Sequence, residues 1–89
     1  MEFDWDEEKD VANRAKHGVG LGDAVRLEWE EGQFRPDRRF NYGEERQEVL
    51  ANLDGQLCSC IYTMRGHVFR VISLRKANRR EQRRYDQSR

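Results

Sequence analysis

An α+β fold is predicted for this chain: a small antiparallel sheet of three to four strands, with two helices ahead of it and one behind. Three observations carry that expectation. Residues 57–64 and 68–74 alternate their side chains with the period of two that marks strands, and Arg65-Gly66-His67 joins them. Glycine in that link tolerates the positive φ of a tight hairpin turn. Residues 7–17 are bounded by aspartate before and Gly18 after, the punctuation of a helix. After the second strand, Arg75, Lys76, Arg79, Arg80, Arg83 and Arg84 follow with almost nothing apolar among them, which suits a solvated helix.

Taken in order, Phe3-Asp4-Trp5 reads as a short strand or hydrophobic lead-in, and Asp4 or Asp6 caps the helix that follows. Glu7 and Glu8 occupy its first turn and Lys16 and His17 its last, so charge opposes the helix dipole at both ends. Val11, Ala12 and Ala15 are the expected buried stripe; Lys9, Asn13, Lys16 and His17 fall on a stripe away from it. Residues 21–29 form a second short helix, with Leu21, Ala24, Val25, Leu27 and Trp29 turned inward. Residues 33–42 alternate, with Phe34, Phe40 and Tyr42 on one parity, and Pro36 confines them to a sheet edge or a bulged strand. Residues 45–53 are the next strand, and Asp54-Gly55 is the strongest hairpin signal in the chain. The strands 57–64 and 68–74 are apolar on both faces, as strands near the middle of a sheet are.

Eighty-nine residues are expected to form one domain, residues 1–89, with a thin core: 36% are hydrophobic, 38% charged, and mean hydropathy is −1.12. The formal net charge of zero hides a division. Residues 1–54 carry 8 Lys/Arg and 15 Asp/Glu; residues 55–89 carry 9 and 2. Such asymmetry points to an anionic partner for the basic part, unless the two halves neutralise each other within the fold. No membrane-length apolar run and no signal-peptide pattern is present, so a soluble intracellular protein is expected. Cys58 and Cys60 share a strand face and read as buried thiols. With His17 and His67 they match no zinc module, and no metal or cofactor is expected.

No phosphate loop, dinucleotide glycine fingerprint or nucleophile elbow occurs. What remains is a set of cations (Lys9, Lys16, Arg46, Arg65, Arg70, Arg75, Lys76, Arg79) with His17, Glu44, Glu81, Tyr62 and Tyr85. RNA cleavage without a metal needs little more. A base takes the 2′-hydroxyl proton, cations stabilise the pentacovalent phosphorus, and an acid protonates the leaving 5′-oxygen. Histidine is the residue type whose charge changes near neutral pH, which makes His17 the first candidate for base or acid, with Glu44 as substitute if desolvated. On residues alone the alternatives stay open: surface ion pairs for the arginines, a helix-ending role for His17, or a basic groove that binds RNA or protein without turnover.

The whole string resembles the BrnT family of bacterial toxins, the ribonuclease halves of type II toxin–antitoxin pairs. Phe3-Asp4-Trp5-Asp6, Lys9, Asn13 and Lys16-His17-Gly18-Val19 are similar to its N-terminal signature; Asp37, Arg39 and Tyr42-Gly43-Glu44-Glu45-Arg46 to its middle block. Tyr62-Thr63, Arg65, Arg70, Ile72-Ser73, Arg75-Lys76-Ala77, Glu81 and Tyr85 resemble its ending. Gly20-Leu21 departs from the usual Ser-Phe helix start, and Trp29-Glu30-Glu31 from an Asp-Pro turn.

The resemblance implies a RelE-like fold and a metal-independent endoribonuclease, acting in the bacterial cytoplasm, that halts translation. It implies a cognate ribbon-helix-helix antitoxin (BrnA-like) in a two-plus-two heterotetramer, which meets DNA only through the antitoxin, and no membrane. Expected catalytic residues are His17, Glu44, Arg46, Arg65 and Arg75. Lys9, Lys16, Arg70, Lys76 and Arg79 are expected to hold RNA, and Tyr85 either to stack on a base or to anchor the last helix. The closing hairpin, the terminal helix and the Lys16–His17 end of the first helix are expected to converge on one cavity.

Overall fold

A computed structural model describes residues 1–39, 41 and 43–88. In chain order it contains β1 (Glu2–Asp4), α1 (Glu7–His17), 3₁₀ segments at Leu21–Arg26 and Trp29–Glu31, β2 (Gln33–Pro36), β3 (Gln47–Leu53), β4 (Gln56–Arg65), β5 (Val68–Lys76) and α2 (Arg79–Gln87). The strands make one five-stranded sheet in the order β1-β5-β4-β3-β2. From β2 to β5 it is an antiparallel meander, as expected. The sheet as a whole is mixed, because β1 adds parallel to β5. The lead-in is therefore a fifth strand, and the predicted three or four antiparallel strands are corrected to that extent.

Local chemistry explains most boundaries. At Asp54-Gly55 both residues have positive φ (50° and 88°), so the turn twists with its strands and pairs Leu53 with Gln56. Pro36, which cannot donate to a ladder, ends β2 at the sheet edge. Of the predicted alternation over 33–42 only Gln33–Pro36 is strand, and Phe40 and Tyr42 lie outside the described residues. The second predicted helix is two 3₁₀ pieces rather than an α-helix. Its N-cap Gly20 offers no capping side chain, and Asp23 instead accepts from the Gly20 N–H at 2.9 Å. Leu21, Ala24, Leu27 and Trp29 are buried there as expected, whereas Val25 is exposed.

α1 starts and stops where predicted. Asp6 accepts from the N–H groups of Glu8 and Lys9, and Gly18 ends the helix at φ 76°. Lys9 and Lys16 are exposed as expected, but the buried residues are not the expected ones. Val11 is 67% exposed, Ala12 and Ala15 are exposed too, and the buried residues are Asp10 and Asn13. The reason is that the helix docks on backbone polar groups. β1 pairs with β5 only as far as Arg70, which leaves the edge of β5 open at Leu74. The Asn13 amide donates to the Leu74 carbonyl at 2.8 Å and its oxygen takes the Leu74 N–H at 3.4 Å. Asp10 accepts from the Leu21 N–H at 2.7 Å. Covering an open strand edge requires hydrogen-bonding side chains, not methyl groups.

The two sheet faces have different fates. One carries Val49, Ala51, Leu53, Cys58, Cys60, Tyr62, Val71 and Leu74, buried under the 3₁₀ segments with Phe3, Trp5 and Phe69. The opposite face has a smaller apolar cluster, Leu50 and Leu57 with Tyr85 from α2, and a buried Ile61 opposite Glu48, set among polar side chains. A bulge decides which side chains reach it. Tyr62 pairs with Val71 but Ile61 with Ser73, so Ile72 is the extra residue of β5. Beyond the bulge the parity inverts. Arg75, opposite Ser59, joins the same polar face as Arg70, opposite Thr63. Among the described residues no helix is long and apolar enough to cross a membrane.

Candidate active site

On the polar face, four strands contribute a row of hydrophilic side chains and α2 lies across one end. The row begins with Arg35 of β2, whose Nε donates to Glu48 of β3 at 3.1 Å. The other Glu48 oxygen takes the Ser59 hydroxyl at 3.1 Å, and Arg84 of α2 pairs with the same oxygen as Arg35. Arg75 forms a two-pronged pair with Glu81, both bonds 2.8 Å long. Glu81 and Asn78 also cap α2 reciprocally: each accepts the other's backbone N–H. The Arg75 guanidinium holds Glu81 below the usual carboxylate range against the opposing effect of burial, and the pairing raises Arg75 in turn.

Between this row and the start of the β2–β3 loop runs an open cleft of about 740 Å³. Six arginines (35, 38, 39, 75, 80 and 84) face three carboxylates (Asp37, Glu48 and Glu81) around it. Arg38 and Arg80 are exposed and form no ion pair among the described residues. The surplus of positive charge, with a buried carboxylate at the floor, suits a polyanion that brings its own phosphates. A second cavity of about 340 Å³ adjoins it, sharing Pro36, Asp37 and Arg38, and is also lined by Glu44, Glu45 and Arg46. Glu44 there sits between two cations, 3.5 Å from Arg46 Nε and 3.7 Å from Arg65 Nη2. The loop is held by the Thr63 hydroxyl donating to the Glu45 carbonyl at 2.6 Å and by the Asp37 N–H donating to the Arg46 carbonyl at 2.8 Å.

The predicted site residues are thus distributed over several places. Glu44, Arg46 and Arg65 come together. Arg75 lines the larger cleft with both terminal nitrogens committed to Glu81. Arg65 pairs with Val68 and Arg75 with Ser59, so their backbones are six residues, roughly 20 Å, apart along β4. His17, half-buried at the last turn of α1, lines neither cavity, and its side chain forms no hydrogen bond or ion pair among the described residues. Lys9 and Lys16 are exposed on α1, and Arg70 pairs with Asp4 at the β1 edge. Lys76 falls on the opposite face from Arg75, and Arg79 is exposed at the start of α2.

The expected single cavity is therefore corrected. Its partners for Arg75 and α2 come from the end of β2 and the start of the following loop, residues 35–39, not from the Lys16–His17 end of α1, because α1 docks at the edge of β5. Tyr85 is buried with Leu50 and Leu57, and its hydroxyl donates to the Glu31 carbonyl at 3.1 Å, contacts that suit an anchor for α2. Cys58 and Cys60 are buried, and burial pushes both thiols up.

Sequence reasoning missed Arg35, Arg38, Arg80, Arg84 and above all Glu48. One signal was available for Glu48. It shares a parity with Leu50 and directly precedes the apolar run Val49-Leu50-Ala51, so a carboxylate there points to burial against partners.

No curated protein matches the chain. Residues 5–81 of the 89 match the profile of a family described as the ribonuclease toxin, BrnT, of type II toxin–antitoxin systems, and the chain belongs to that family.

Proposed function

We propose that this toxin is a metal-independent endoribonuclease that draws a single RNA strand along the arginine cleft and cuts it beside Glu44, halting translation. The observation that carries the reading is the adjoining pair of cavities. One offers surplus guanidinium charge for phosphates, and the next holds a carboxylate flanked by Arg46 and Arg65. In that reading Glu44 accepts the 2′-hydroxyl proton as the oxygen attacks phosphorus. Arg46 and Arg65 leave Glu44 to meet the charge developing on the pentacovalent centre, a 2′,3′-cyclic phosphate forms as the P–O5′ bond breaks, and the departing 5′-oxygen takes its proton from water. Guanidinium groups supply the charge stabilisation for which other nucleases use a metal. Arg38 and Arg80 hold flanking phosphates. His17, at the end of α1, remains the competing proton carrier. A ribbon-helix-helix antitoxin of the BrnA type, in a two-plus-two assembly reaching DNA only through the antitoxin, completes the proposal.

The test is purified protein with RNA in EDTA. Cleavage is expected to persist, and to fall about 10²-fold or more in Glu44→Gln and Arg65→Ala. An equal loss in His17→Ala with little change in Glu44→Gln transfers the base to His17. Salt-sensitive binding that leaves RNA intact supports instead a docking module without turnover.

A further inference from the structure

Glu48 is a carboxylate of the cleft tied to two of its arginines on different elements. Its side chain is 8% exposed, whereas Arg35 is 55% and Arg84 25% exposed. Both guanidiniums meet the same oxygen, Oε1, while Oε2 is held by Ser59 of the neighbouring strand. Both oxygens of the carboxylate are thus engaged within the protein, and its orientation is set in part by the sheet. Arg84 is fixed a second time, its Nε donating to the Gln33 side-chain oxygen at 2.9 Å. Two long side chains that would otherwise sample many rotamers are thus pinned from below, with their outer edges facing the cleft. The cost is one buried negative charge in a site built for an anion.

We infer that Glu48 is a positioning residue for RNA: it orders Arg35 and Arg84 as one wall of the cleft and lowers the cleft's attraction for phosphate in exchange. The inference rests on the cleft being the RNA site. Geometry and charge then make opposite demands at a single position, and the two are separable. Removing the charge while keeping the shape raises affinity and loosens the wall. Keeping the charge while shortening the side chain loosens the wall alone.

The experiment compares wild type, Glu48→Gln and Glu48→Asp on two versions of one single-stranded oligonucleotide, unmodified RNA and its fully 2′-O-methylated form, which lacks the attacking hydroxyl. Glu48→Gln is expected to bind the methylated strand several-fold more tightly. Its log-affinity against log-salt slope should steepen by roughly 0.7, the value of one added phosphate contact on a single strand. At saturation it is expected to cut the unmodified strand about 10-fold more slowly. Glu48→Asp should keep the wild-type affinity and slope and share the slower cleavage. The inference is overturned if Glu48→Gln matches wild type in affinity and slope, if Glu48→Asp cuts at the wild-type rate, or if slower cutting tracks weaker binding and a lower melting temperature, the mark of a merely structural role. Should Glu48→Gln fail to fold, Glu48→Asp decides alone. A wild type that binds both strands and cuts neither defeats the ribonuclease proposal, while the affinity and slope of Glu48→Gln still decide whether Glu48 tunes the cleft.

Discussion

Replacing Arg75 by alanine separates two readings of that residue, a transition-state cation or the clamp that seats α2. The structure commits both its terminal nitrogens to Glu81, whose side chain is 9% exposed against 31% for Arg75. After the substitution Glu81 Oε1 keeps the Asn78 N–H at 3.0 Å, but Oε2 has no partner. Breaking a buried ion pair by removing one member costs about 3–5 kcal/mol. Water reaches the exposed third of Arg75, so roughly 2–4 kcal/mol is the expected loss once hydrogen bonds to charge are counted at about 1.5–3 kcal/mol each. For a chain of this size that lowers the melting temperature by roughly 10–30 °C. Urea unfolding followed by tryptophan fluorescence measures it, Trp29 being buried against the sheet. The slope against urea should not change, and Arg75→Ala/Glu81→Gln should regain part of the loss, since the stranded charge is gone. A loss under about 0.5 kcal/mol in Arg75→Ala, the range of ordinary surface substitutions, refutes the clamp and returns Arg75 to the catalytic set.

The same pair sets an acid limit. Glu81 lies below its ordinary 4.5 because of Arg75, and Asp23 below its ordinary 3.8 because of the Gly20 N–H and Arg26. Both carboxylates therefore add stability that is complete above the unfolded values and is lost as pH falls through the lower folded ones. Melting temperature should drop below about pH 4.5, with a shallower drop in Arg75→Ala. On α1, Val11→Lys and Ala15→Lys should change stability by less than about 0.5 kcal/mol. Asn13→Ala should cost roughly 1–3 kcal/mol, because the Leu74 backbone loses its partner. In chemical unfolding these variants would order oppositely if the helix were turned as its apolar residues suggest. Iodoacetamide at pH 8 should leave Cys58 and Cys60 unmodified in the native protein and label both in urea, as mass spectrometry would show; fast native labelling contradicts their burial.

Much of this architecture is written in local chemistry that needs no tertiary context. Asp6 and Gly18 bound α1, Asp54-Gly55 and Gly66 make the hairpins, Pro36 marks the edge strand, and the double-sided apolar pattern puts β4 at the sheet centre. Family membership was legible as well, because its marks are short blocks in fixed order. Features that depend on partners distant in sequence were not. The parallel pairing of β1 with β5 joins residues 66 positions apart. The face that α1 buries was misjudged because apolar periodicity assumes an apolar neighbour, whereas α1 meets an unpaired strand edge. The bulge at Ile72 inverts the parity that would otherwise send Arg75 to the opposite face.

The amino-acid order by itself determined where α1 and the two hairpins start and stop and that a cationic second half needs an anionic counterpart, since capping, turn geometry and net charge act within a few residues or need no geometry at all. Only the folded chain decided where that charge is spent. Ion pairing falls off over a few ångströms, so whether an arginine seats a helix, clasps Glu48 or stands open to phosphate depends on which carboxylate the sheet brings within reach.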